Sequence, residues 1–199
     1  MSIFSMLSTR RVPCPYRCAL LCLLTVVLLA GCAPLRSAPP VRASDVLTSM
    51  CRAEAALPTG SIWERRVNAA AGDDTASSSQ LTDALFSALY GSECLSWLET
   101  TCHSDGTVEA PLVDEVAVFL ATVQHPCEMA VFRCTDSAGA VAAAKQCRRR
   151  LDLIRQTWRG SDEEAFCGRG CVEVVDNYVL LVVASDPEAV LDAARRVIA

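Results

Sequence analysis

The chain is poor in the residues that most often carry chemistry. Its 199 residues include two histidines, His103 and His125, and aromatic side chains make up 6% of it. No C-x2-C or H-x3-H spacing occurs, so the usual frameworks for tetrahedral zinc are missing. No G-x-S-x-G is present, which removes the strand-to-helix elbow of a serine hydrolase. Basic residues do not outnumber acidic ones: 18 Lys and Arg stand against 23 Asp and Glu. An acidic chain is a poor binder of nucleic acid and of anionic lipid through bulk charge. After residue 35 no segment approaches the roughly 18 uninterrupted apolar residues of a membrane span.

What is present begins with the N-terminus. Arg10, Arg11 and Arg17 precede an apolar run, Ala19 to Leu29, that contains nothing more polar than Thr25. A basic segment, an apolar segment and small residues before a cut make an export signal. The run closes on Leu29-Ala30-Gly31-Cys32, which resembles the lipobox of bacterial lipoproteins. That resemblance implies a diacylglycerol thioether on Cys32, cleavage before it, acylation of the new amine, and a protein held on the extracytoplasmic face of the cell membrane. An uncleaved span over Cys18 to Leu35 is the alternative; with the arginines kept inside, it also places the bulk of the chain outside the cytoplasm.

Residues 1–31 then form a signal peptide and residues 32–43 a lipidated cysteine followed by a Pro-rich tether. With three prolines, the tether can hold the remainder roughly 30 Å off the membrane. Removing residues 1–31 takes away three arginines and no acid, leaving 15 basic against 23 acidic side chains, a net charge of −8. Residues 44–199 are expected to form a single extracytoplasmic domain.

Ser44 is the expected N-cap of a first helix carrying Val46, Leu47, Met50, Cys51 and Leu57, stopped by Pro58. Ala69 to Ser79 reads as a loop. A second helix starts near Thr82 with Leu85, Phe86, Leu89 and Tyr90 on one stripe and Gly91 as cap, followed by one or two turns over Glu93 to Thr100. Asp114–Val123 and Glu128–Cys134 read as a hairpin. Asp136 or Ser137 caps a long helix with Val141, Ala144, Cys147, Leu151, Ile154 and Trp158 in a stripe. A second hairpin, Cys171–Val175 and Tyr178–Ser185, turns at Asp176-Asn177. Tyr178–Ala184, apolar on both faces, is an interior strand. The last helix takes Asp186 as N-cap and Pro187 at its first position. The strand–cap–helix pattern at Val131–Ala138 repeats at Leu181–Glu188. The expected fold is therefore α+β: N-terminal helices followed by a ββα-ββα core, an antiparallel four-stranded sheet with helices packed on one face.

Leu89-Tyr90-Gly91, then Pro126-Cys-Glu128-Met-Ala-Val-Phe-Arg-Cys with Asp136 and Arg150, then Asp176-Asn177-Tyr178-Val-Leu-Leu-Val-Val follow one another in order. As a set, over roughly residues 45–199, they resemble a family of bacterial lipoproteins known as a domain of unknown function. The chain departs from that family by carrying Asp176 where glycine is common and by its many cysteines. The resemblance implies location and fold, and supplies no catalytic residue.

Several local groups remain as candidates. Of twelve cysteines, Cys14, Cys18 and Cys22 leave with the signal and Cys32 carries lipid. The other eight are either disulfide partners or small buried hydrophobes. Cys167-Gly-Arg-Gly-Cys171 is the densest pair, a possible disulfide or, with Arg169 beside a thiol, a redox couple. Cys102-His103 and His125-x-Cys127 could supply four metal ligands if their loops met, although two loop histidines are more often unrelated. Arg148, Arg149, Arg150, Arg155 and Arg159 form a basic strip that either faces an anionic polymer or complements a helix C-terminus. No cofactor is implied. The expected function is a membrane-anchored surface lipoprotein with a non-catalytic binding domain, its partner an envelope protein or polymer. The rival is a lipid-anchored thiol-dependent redox protein or hydrolase.

Overall fold

A computed structural model describes residues 40–67, 79–102, 104–105, 107–122 and 124–199. The expected signal peptide, Cys32, the expected tether up to residue 39, residues 69–78 of the expected loop, and His103 lie outside the described residues.

The first helix, α1 (Ala43–Ala53), buries Val46, Leu47 and Met50. It begins one residue before the Ser44 cap expected from sequence, and Arg42 at the N-cap position makes no side-chain capping bond. The reason is tertiary: the Glu115 carboxylate accepts the Ala43 N–H at 3.0 Å from 72 residues away. The helix also ends before Leu57, which is exposed. Next come β1 (Gly60–Arg66) and β2 (Ser79–Gln80), a parallel pair absent from the sequence expectation. Helix α2 (Asp83–Tyr90) starts as expected, with Thr82 accepting the Leu85 N–H, and ends at Gly91, whose φ of 95° suits glycine. A 3-10 turn (Ser92–Leu98) and a short ribbon of β3 (Thr101–Cys102) and β4 (Val108–Glu109) follow.

Strands β5 (Val113–Ala121) and β6 (Glu128–Cys134) pair as the expected hairpin, and α3 (Ser137–Thr157) is capped by Asp136. The buried stripe of α3 runs from Gly139 and Ala140 through Ala143, Ala144, Cys147, Leu151 and Ile154. Val141, expected on that stripe, is 71% exposed. A one-turn helix, α4 (Glu164–Gly168), follows. Strands β7 (Cys171–Val175) and β8 (Tyr178–Val183) turn through Asp176 at φ 51°, and α5 (Pro187–Ile198) takes its cap from Asp186.

The main sheet has six strands in the order β2-β1-β5-β6-β8-β7, antiparallel except for the β1–β2 edge. The class is α+β and the ββα-ββα core is present, but the helices do not share one face. Val116, Val118, Ala130, Phe132, Val179, Leu181 and Val183 pack with α2 and α3. The alternating residues Ala117, Phe119, Met129, Val131, Leu180 and Val182 pack with α1 and α5. Because β6 and β8 are apolar on both sides, a single helical layer would have left one side in water. A β-bulge between Val113 and Glu115 shifts the alternation, so Val113 shares a face with Val116 and Glu115 turns toward α1. No helix among the described residues is long and apolar enough to cross a membrane.

Candidate functional site

The β5–β6 hairpin tip, the end of α2 and the C-terminal half of α3 enclose a cleft of 260 Å³. Its floor is an ion pair. Glu128 opens β6 and is 4% exposed. Arg150 sits three residues after Cys147 and four before Ile154, on the buried stripe of α3, so its guanidinium is carried inward over the sheet. Arg150 Nε lies 3.1 Å from each Glu128 oxygen, and Nη2 lies 2.6 Å from Oε2. Such a fork is the geometry in which a guanidinium and a carboxylate compensate one another away from water. Burial works against the Arg150 charge, but the bonds to Glu128 outweigh it and raise its pKa. Tyr90, fully buried beside the pair, has a hydroxyl with no hydrogen-bond partner among the described residues. Burial first, and the Glu128 charge second, push that phenol well above its ordinary value.

Around this floor stand Leu89 from α2, Leu120 from β5, Ile154 and Trp158 from α3, and His125 and Cys127 from the hairpin connection. His125 Nδ1 accepts the Cys127 N–H at 3.1 Å, which places the proton of the neutral ring on Nε2. The imidazole meets Phe166 of α4 edge to face, with centroids 5.0 Å apart.

A second ionic cluster lies on the other face. Glu115, with a side chain 1% exposed, meets Arg66 Nε at 3.1 Å, Arg133 Nη1 at 3.0 Å and Arg42 Nε at 3.5 Å. Arg133 Nη1 and the Tyr178 hydroxyl both donate to the Val41 carbonyl, at 3.3 and 2.6 Å. This cluster fixes the start of α1 and is structural.

The chain matches no family model, no curated protein and no solved structure.

The groups singled out from sequence are distributed as follows. Cys167 and Cys171, the expected disulfide candidates, are both free thiols. Cys167 packs in the α2/α3 layer and Cys171 against the α1/α5 layer, so the sheet separates them. Arg169 lies over the Phe166 ring at 5.8 Å instead of serving a thiol. Burial pushes Cys51 and Cys94 up to about 11 and Cys127 and Cys134 to about 12. It also raises Cys147, Cys167 and Cys171. These are the environments of inert, buried thiols. With His103 outside the described residues, the four-ligand metal set cannot be assembled from them, and among the described residues no group of three or more His, Cys, Asp or Glu could hold a metal ion.

The arginine strip dissolves. Arg150 turns inward to Glu128, while Arg155 Nη2 donates to the Gly170 carbonyl at 2.8 Å and to that of Gly168 at 3.4 Å, closing the end of α4. Arg149 reaches Gln146 at 3.2 Å, and Arg148 and Arg159 stay exposed. In the acidic Asp162–Glu164 run, Glu164 accepts the Gly160 N–H at 2.9 Å, a local turn contact. Sequence reasoning missed the Glu128–Arg150 pair as a site. Its signal was a charged residue at the spacing of an apolar stripe, hidden by the two arginines before it.

Proposed function

We propose that this chain is a lipid-anchored surface lipoprotein of the family it resembles, with an α+β domain that acts as a binding module on the extracytoplasmic side of the cell membrane. The observation that carries the binding reading is the open 260 Å³ cleft over the buried Glu128–Arg150 fork. Concave clefts with convergent polar groups are where proteins hold small ligands. The anchor reading rests on Leu29-Ala30-Gly31-Cys32 behind its apolar run. The partners are the membrane, through the acyl chains, and an envelope protein or polymer. Thiol-dependent redox or hydrolytic chemistry is disfavoured by the raised thiols, since the thiolate is the reactive form.

Metabolic labelling with a fatty acid tests the anchor. The wild-type chain should take up label and partition with membranes; Cys32→Ser should lose both. Label retained on Cys32→Ser overturns the lipobox reading.

A further inference from the structure

Three of the described thiols lie on the α1/α5 side of the sheet: Cys51, Cys127 and Cys171. Two of them share a corner. On α1, Ala43, Leu47 and Cys51 form one row at four-residue spacing, turned toward the sheet. At and just before the start of β6, Cys127, Met129 and Val131 form the facing row, since strand side chains return to one face every second residue. The two rows run in opposite directions and are pinned at both ends. At one end Arg133 Nη1 donates to the Val41 carbonyl at 3.3 Å, just before α1 begins. At the other, Glu54, three residues after Cys51, accepts the Ser185 N–H at 3.0 Å and the Ser185 hydroxyl. Glu128 pairs with Val183, so the next position outward sets Cys127 opposite Ala184, beside the serine that Glu54 holds. Cys51 and Cys127 therefore end their rows together. The electrostatics agree: after burial, Glu54 and Cys51 are the leading charges that raise the Cys127 thiol. Cys171 answers, after burial, to Glu173 on β7 and to Glu188 and Arg195 on α5.

We propose that Cys51 and Cys127 are the two partners of a disulfide that ties the end of α1 to the start of β6, closed by thiol–disulfide exchange with an external disulfide. The described form is the reduced one. A disulfide needs two side chains that already face one another on neighbouring elements, which the two rows supply. Their burial sets the order of events. Half-buried Cys51 gives its proton to solvent, and its sulfur attacks the external disulfide, forming a mixed disulfide and releasing one thiol. The sulfur of Cys127, 2% exposed, then attacks Cys51, its proton going to the departing thiolate. Two protein thiols are oxidised and one external disulfide is reduced to two thiols. Disulfides persist outside the cytoplasm, the compartment proposed above, but the pairing itself depends on the fold alone. The bridge restricts the unfolded chain and fixes the connection that carries His125 and Pro126, part of the lining of the cleft.

The test uses the full chain in detergent, reduced, freed of reductant and incubated with oxidised glutathione at about pH 9, where more of the Cys51 thiol ionises. It is then alkylated and digested without reductant. The wild type should yield a peptide pair joined through Cys51 and Cys127, lighter than the two separate peptides by two hydrogens. Its urea midpoint should rise above that of the reduced chain. Cys127→Ala should stop at the first step and keep glutathione on Cys51, whereas Cys51→Ala should leave Cys127 unmodified. If either variant fails to fold, the wild-type peptide map decides alone. Glutathione lasting on wild-type Cys51, Cys51 joined to any other cysteine, or Cys51 and Cys127 both recovered as alkylated thiols overturns the pairing. None of these outcomes touches the anchor, which the acyl label on Cys32 reports separately.

Discussion

A buried thiol gives up its proton reluctantly, and this chain holds many of them. Cys127 and Cys134 are pushed to about 12, and Cys51 and Cys94 to about 11, against an ordinary value of 9.0. Above pH 9 the unfolded chain ionises these groups while the folded chain does not, so the unfolded state binds fewer protons and stability falls as pH rises. Urea midpoints should stay level between pH 7 and 8 and fall steadily from pH 9 to 11. A midpoint that rises over that upper window would contradict the burial assigned to these thiols. Among the described thiols, alkylation followed by mass mapping should find half-buried Cys51 and Cys171 modified first, and Cys147 only on unfolding. At this scale the sequence was partly legible. Asp136, Asp186 and Thr82 are caps because each offers a side-chain oxygen three residues before the N–H it accepts. Arg150 was not legible as half of a buried pair, because Glu128 lies 22 residues away and Arg148 and Arg149 make the stretch look like a solvated strip.

The elements depend on two close arrangements that local propensity does not encode. The N-terminus of α1 is closed by Glu115, which three arginines surround. Glu115→Gln keeps the shape, removes the charge, and leaves those guanidinium groups without their shared partner. It should destabilise the fold by ~3 kcal/mol, read from the urea midpoint at constant slope. The start of α3 lies against the residue that leads into β5 so closely that a Cβ on Gly139 would come 2.3 Å from the Leu112 carbonyl oxygen. Gly139→Ala should therefore cost about 1–3 kcal/mol, although alanine is the better helix former. The strand β1 escaped sequence reasoning for a related reason. Glu64, Arg65 and Arg66 look like loop residues, yet the strand pairs along its length with β5 and spends those charges on Arg42, Asp83 and Glu115.

For the whole molecule, the sheet is the partition between two apolar layers. Leu180 and Leu181 are adjacent and both 0% exposed, one facing α1 and α5, the other α3. Leu180→Ala and Leu181→Ala should each cost about 2–5 kcal/mol and shift the same unfolding transition. With helices on one face, one of the two changes would have been nearly neutral. The α+β class and the ββα-ββα order were legible because strand and cap signals recur in series. The second helical layer was written in the two-sided apolar run of Tyr178–Ala184, whose full meaning depends on α1, far upstream.

The pairing of α1 with α5 also sets a timetable. These first and last helices of the described domain pack together on one side of the sheet, joined by a bond from Ser49 Oγ to the Ala193 carbonyl at 3.4 Å. Val46, Leu47 and Met50 thus wait for a partner that appears only when Pro187–Ile198 has been made. Contacts between such distant parts of a chain close late. A chain shortened before Pro187 would keep its α3 layer but leave an apolar furrow open along α1, β6 and β8, a surface prone to self-association. Completion of this side of the molecule is therefore a check that synthesis has passed α5.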